Sequence, residues 1–118
     1  GEYGRIINIS SSTVPVGLPL LMHYVTSKAA VVGMTRCMAT ELGERGITCN
    51  AILPGMTESE VEYVGRTDAS FSAVLNMQKL KRIEQADDLV GMALFLASPA
   101  SGFMTGQSLL VDGGMAYS

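Results

Sequence analysis

The chain is 118 residues long, room for one domain or part of one, and charged residues make up only 16% of it against 47% apolar; about 25% charged is ordinary, so an unusual share of this surface expects to be covered. A net charge of −3, with 8 Lys and Arg and no basic run, excludes the electrostatic footprint by which proteins hold nucleic acid or an anionic membrane. No apolar stretch reaches the roughly 18–20 residues that a membrane-spanning helix needs.

Gly1-Glu2-Tyr3-Gly4 lacks the basic and apolar regions of a secretory signal, and a cytoplasmic location is expected. The chain opens without methionine and runs almost at once into an apolar strand, which marks it as a piece of something longer. Arg5-Ile6-Ile7-Asn8-Ile9-Ser10 is that strand; it is β-branched and bounded by Gly4 and serines, and it suits burial on both faces of a parallel sheet. Residues 11 to 20 mix Ser and Thr with Pro15, Gly17 and Pro19 and are expected to form a loop leaving the strand's carboxyl end. In open α/β sheets that end is where ligands bind.

Met22 to Leu42 is apolar nearly all round, with no proline, and predicts a helix stopped by Gly43. A helix without a clean polar face is buried on two sides, here one on the sheet and the other on a second subunit. Ile47 to Leu53 reads as a second strand closed by Pro54-Gly55. Met56 to Leu80 carries helical periodicity in Phe71, Val74, Leu75 and Leu80 and is expected to be a mobile helical flap. A further helix is predicted from Gln85 to Ala97, terminated by Ser98-Pro99, and a third strand from Gln107 to Val111, stopped by Asp112-Gly113-Gly114. Strands joined by connections this long imply an α/β fold with parallel pairing and right-handed crossovers.

Within that frame, Tyr24 and Lys28 lie at positions i and i+4 near the start of the long helix, one turn apart on a shared face. A phenol titrates near 10, and using it at neutral pH needs roughly 4 kcal/mol of preferential stabilisation of the phenolate. A nearby fixed positive charge supplies part of that. Taken alone, this pair is common and usually means a half-buried tyrosine beside a solvated lysine.

Its company changes the reading. Gly4-Arg5-Ile6-Ile7-Asn8-Ile9-Ser10-Ser11, Tyr24-x-x-x-Lys28-Ala29-Ala30-Val31, Asn50-Ala51-Ile52-Leu53-Pro54-Gly55, Phe95-Leu96-Ala97-Ser98, Thr105-Gly106-Gln107 and Val111-Asp112-Gly113-Gly114 together resemble the classical short-chain dehydrogenase/reductases, in that family's order and spacing over nearly the whole chain. The resemblance implies a Rossmann-like parallel sheet, of which these would be the last three strands and their helices in one domain spanning residues 1–118.

It also implies NAD or NADP as cofactor and a secondary alcohol or ketone, or a 3-oxoacyl group, as substrate. The family's catalytic serine lies thirteen positions before the tyrosine, which selects Ser11 over Ser10 and Ser12. By resemblance Tyr24 donates or accepts the proton and Ser11 bonds the carbonyl oxygen, while Lys28 supports the phenolate and bonds the nicotinamide ribose. Pro54 and Gly55 would border the nicotinamide, together with Thr57 and Ser59. Thr57 stands where an aliphatic residue is usual and Ser59 where threonine is usual.

The glycine-rich turn that cradles the pyrophosphate belongs, in the family, to segments before Gly1. The 118-residue chain alone is therefore expected to be inactive, and the complete protein to be a homo-oligomer, dimer or tetramer. The rival reading is a non-catalytic oligomerisation or binding module derived from such an enzyme. No metal site is expected, because one histidine and two cysteines without ligand spacing cannot make one. Cys37 and Cys49 are expected to be buried free thiols, His23 a packing or pocket-wall residue, and Asn8 and Asn50 structural hydrogen-bonding groups.

Overall fold

Ile47–Pro54 alternates a wholly apolar side, Ile47, Cys49, Ala51 and Leu53, with a mixed one that carries Thr48 and Asn50, and the protein buries both: every residue from 48 to 53 is inaccessible to solvent or nearly so. This strand, β2, is the middle of a three-stranded parallel sheet, flanked by β1 (Gly4–Ile9) and β3 (Ser108–Val111) in the order β1-β2-β3. The computed structural model describes residues 3–58 and 67–118; residues 59–66 of the expected flap lie outside them. Gly4 pairs with Ile47 and Ile9 with Ile52, while Ala51 pairs with Ser108 and Pro54 with Val111. That register brings the carboxyl ends of all three strands to one edge.

Among the described residues four helices connect the strands, α1 (Thr13–Val16), α2 (Met22–Leu42), α3 (Asp68–Met77) and α4 (Asp87–Ala97), and α2 and α4 pack on the sheet. From α2 only Val32, Thr35 and Ala39 are buried, a stripe at the three-to-four-residue spacing of one helix face. Val32 packs on Ala51 and Leu53 of β2, with Leu110 of β3 beside them, and each such aliphatic side chain contributes about 1.5–3 kcal/mol when fully buried. The opposite face, with Ala29, Ala30, Gly33, Met34 and Cys37, is open. α3 starts on a reciprocal cap in which Thr67 Oγ1 accepts from Ser70 N–H at 3.1 Å and Ser70 Oγ accepts from Thr67 N–H at 3.0 Å. Its single buried side chain is Val74, one of the periodic apolar residues.

Several expectations change. Residues 13–16 of the expected loop form the one-turn α1. α2 ends at Leu42 with Gly43 as its C-cap, as expected; from there the chain tightens into a 3-10 turn over Gly43–Arg45, and the left-handed residue after that turn is Gly46, φ 72°, a conformation glycine adopts without penalty. Cys37 is exposed on α2, whereas Cys49 is fully buried in β2, where desolvation pushes its thiol pKa up.

The crossovers also differ from expectation. Asn8 and Arg5 sit three residues apart in β1 and so face opposite sides of the sheet. Asn8 Nδ2 donates to Thr35 Oγ1 of α2 at 3.0 Å, whereas Arg5 Nε donates to the carbonyl of Ser98, which ends α4, at 3.3 Å. The two helices thus cover opposite faces. Both connections step the same way across the sheet, so they have opposite hands, and at most one is right-handed.

Candidate active site

Three chain segments leave the sheet side by side at its carboxyl edge and are stitched together by their backbones. Ser10 N–H donates to Ile52 O at 2.8 Å, Ser12 N–H to Pro54 O at 2.9 Å, and Gly55 N–H to Val111 O at 3.2 Å. The sequence Ser10-Ser11-Ser12 follows β1 here, and all three are buried. Ser10 Oγ donates to the carbonyl of Lys28 at 2.7 Å, which ties the start of α2 to the end of β1. Ser11 Oγ accepts from Thr13 N–H at 3.1 Å and from Thr13 Oγ1 at 2.9 Å. A hydroxyl has two acceptor positions and one donor, so with both acceptors used the Ser11 proton is left for another partner. Ser12 Oγ is buried with no partner among the described residues.

Tyr24 and Lys28 come to the same edge on the first turns of α2. Lys28 Nζ lies 5.9 Å from the centroid of the Tyr24 ring and donates to Ile9 O, the last carbonyl of β1, at 3.4 Å. Lysine has three donors, and this long contact uses one. The Tyr24 ring is 39% exposed, and its phenol oxygen has no hydrogen bond among the described residues. Ser11 and Tyr24 share no direct bond; Lys28 and the end of β1 stand between them in the chain of contacts. His23 is exposed rather than packed.

Asn8 and Asn50 hold the scaffold. Asn8 bridges to Thr35 and to Cys49 Sγ, the latter at 3.6 Å. Asn50 donates to Met104 O and accepts from Gln107 N–H, both at 3.1 Å, fixing the entry into β3.

Beyond β2, Gly55 N–H is shared between Val111 O and the Oε1 of Glu84, at 3.0 Å from the latter. Thr57 Oγ1 donates to Gly55 O at 3.2 Å, closing a turn on itself, and Thr57 pairs with Glu84 in a short parallel bridge. Ser59 lies outside the described residues. Beyond β3, the buried Asp112 accepts from Gly114 N–H and Ala116 N–H, both at 3.0 Å, and Gly113 O accepts from Lys79 N–H and Leu80 N–H. Gln78 Nε2 donates to Leu80 O and Arg82 O, both at 2.9 Å. Residues 78 to 84 thereby clip the turn after β3 to the loop after β2. Among the described residues no group of side chains could hold a metal ion, and no helix is long and apolar enough to cross a membrane.

A family model described as enoyl-(acyl carrier protein) reductase matches residues 1–116. The solved structure of a putative short-chain alcohol dehydrogenase from Sinorhizobium meliloti 1021 superposes with a TM-score of 0.89 at 34% identity, covering 98% of this chain and 46% of that one. This chain belongs to the short-chain dehydrogenase/reductase family. A probable galactose dehydrogenase of Rhizobium meliloti is 42% identical over 113 residues, 95% of this chain and 44% of the relative. A 3-oxoacyl-[acyl-carrier-protein] reductase of Haemophilus influenzae is 37% identical over 117 residues, 99% of this chain and 48% of the relative. The chain thus spans just under half the length of these oxidoreductase relatives.

At this carboxyl edge, the residue that sequence reasoning missed is Glu84. It stands in Lys81-Arg82-Ile83-Glu84-Gln85, a polar run that reads as solvated, and nothing in it signals burial. Asp112 was legible as a turn former before two glycines, but its two backbone bonds were not.

Proposed function

We propose that the protein carrying this chain is an NAD(P)-dependent oxidoreductase that interconverts a secondary alcohol and a ketone, or a 3-oxoacyl group. The observation that carries the reading is the arrangement at the carboxyl edge: Lys28 Nζ contacts both the last carbonyl of β1 and the Tyr24 ring, and two residues beyond that carbonyl Ser11 has both hydroxyl acceptors already used. When bound, NAD or NADP would supply or accept the hydride. The donor set fits such a group, because Lys28 keeps donors for the hydroxyls of a ribose, and Pro54, Gly55, Thr57 and Ser59 would border the ring from the loop after β2.

The chain's own residues do the rest. Charge develops on the carbonyl oxygen during reduction. Ser11 donates its free proton in a hydrogen bond to that oxygen, a preorganised stabilisation of the developing negative charge. The Tyr24 phenol, half exposed and uncommitted, transfers its proton to the same oxygen, and takes it back in the oxidation direction. The ammonium of Lys28 stabilises the phenolate left behind.

A second copy of the chain is the partner we propose. The outward face of α2, with Ala29, Ala30, Gly33 and Met34, and the exposed Val90 and Leu94 of α4 leave apolar side chains in water that a second copy would cover. Light scattering on the protein from the full reading frame is expected to read a dimer or tetramer, and a monodisperse monomer removes the proposal. For the chemistry, Tyr24→Phe in that protein is expected to lower turnover of secondary alcohols and ketones by about 10²–10⁴-fold. Turnover within a few-fold of the parent would remove Tyr24 from the proton transfer.

A further inference from the structure

Glu84 sits where the three outgoing segments meet, 5% exposed. Its Oε1 accepts from Gly55 N–H at 3.0 Å, its backbone pairs with Thr57, and its carbonyl accepts from Glu58 N–H at 2.8 Å. Its Oε2 is buried with no partner among the described residues. A Cβ placed on Gly55 would come within 2.8 Å of Oε1 and 3.1 Å of Asp112 Cβ, so the carboxyl fits here only against a glycine.

We propose that Glu84 is a positioning residue for the nicotinamide cofactor, which in its neutral form fixes the loop Pro54–Thr57 through Gly55 and on ionising lets that loop go. The proposal rests on the oxidoreductase reading above.

Its physical basis is the surroundings of the carboxyl. The Glu84 carboxyl is pushed from 4.5 up to about 7, chiefly by desolvation on burial, with the bond from Gly55 pulling the other way, Asp88 and Asp112 adding to the rise and Arg82 opposing it. These are the charged groups that face it: Asp112 from the turn after β3, Asp88 from α4 and Arg82 from its own segment. Glu58, from the loop after β2, has its carboxylate engaged by Gln85 Nε2 at 3.1 Å. Arg82 is committed to Asp88 by two bonds, 2.7 and 2.6 Å, and does not pair with Glu84. An ionised Glu84 is thus a buried charge beside two carboxylates, with one oxygen unsatisfied, a costly state. A cleft of about 140 Å³ lined by Gln78, Arg82, Glu84, Asp88, Val111 and Gly113 gives it a way to water. A carboxylate that turns into that cleft gives up Gly55.

The test uses the protein from the full reading frame, its Glu84→Gln and Glu84→Ala variants, and calorimetric titration of NADH and NADPH between about pH 6 and pH 8.5, with the amide-exchange protection factor of Gly55 read in parallel. The parent is expected to lose about tenfold in affinity across that window while kcat moves by less than about threefold. Glu84→Gln keeps an uncharged acceptor and should stay flat at the parent's low-pH affinity; Glu84→Ala should be weak at every pH. Gly55 protection should follow the same order. The proposal is overturned if Glu84→Gln follows the parent's pH profile, or if Glu84→Ala matches the parent in affinity and Gly55 protection. Should the parent bind neither dinucleotide at any pH, the oxidoreductase reading fails, and Gly55 protection alone decides Glu84: equal values in parent and Glu84→Ala overturn its hold on the loop.

Discussion

The two halves of the carboxyl edge are built in opposite ways. On the β1 side, two of the candidate catalytic groups are sparsely bonded: Tyr24 is 39% exposed, and the Lys28 ammonium has one hydrogen bond, at 3.4 Å, whereas Ser11 is buried and bonded to Thr13. The approach to them is strained as well, since Leu20 has a left-handed backbone, φ 66°, with its side chain almost wholly in solvent. Such a conformation costs a non-glycine residue about 1–3 kcal/mol. On the β3 side, Gln78, Glu84 and Asp112 are buried, and their side chains bond to backbone groups from neighbouring turns. Groups that act on a substrate keep capacity for a further bond; groups that hold a shape gain stability from being bonded and covered.

That contrast can be broken by stability measurements. The largest effect is expected from Asp112→Ala, which leaves the N–H groups of Gly114 and Ala116 without their acceptor inside the turn. Unfolding free energy by denaturant titration should fall by about 2–4 kcal/mol, and a loss below about 1 kcal/mol would mean the β3 side is not held as described.

A smaller effect, visible only over part of the pH range, is expected from Glu84→Gln. The folded protein holds the Glu84 proton up to about 7, above the ordinary 4.5, so between those values unfolding releases a proton and stability falls as pH rises. The stability Glu84 contributes is full below about 4.5 and gone once pH has passed through about 7. A glutamine carries no such proton, so heat-denaturation midpoints of variant and parent should draw apart in the variant's favour from pH 5 to pH 8. A constant gap would mean the carboxyl is not desolvated. The smallest effect is expected on the candidate catalytic side: Tyr24→Phe, proposed above to lower turnover, should leave the midpoint within about 2 °C, because no hydrogen bond within the described residues is lost.

Much of the fold is legible in the amino-acid sequence alone. The β-branched run through Ile6 and Ile7, the uninterrupted apolar stretch from Met22, and Pro54-Gly55 each announce their element by local rules, and each element stands within a few residues of its expected place. Gly43 marks the end of α2 as a glycine after a helix usually does, but the 3-10 turn that follows it, with its left-handed residue at Gly46, was not legible. Cys37 misled because an apolar helix with no polar face does not tell which side meets the sheet, and Val32, Thr35 and Ala39 won that side. The resemblance to the short-chain dehydrogenase/reductases singled out Ser11, Tyr24 and Lys28, but what each one touches was not in the motif.

The sequence by itself determined the parallel α/β architecture, the family and the candidate proton donor, because strand and helix periodicity and short motifs are local properties of the chain. Tertiary structure alone decided that α2 and α4 lie on opposite faces, that Ser10 anchors Lys28, and that Glu84 is buried against Gly55. Those facts depend on residues tens of positions apart meeting at one edge, and the burial of a carboxyl depends on everything packed around it rather than on its neighbours in the chain.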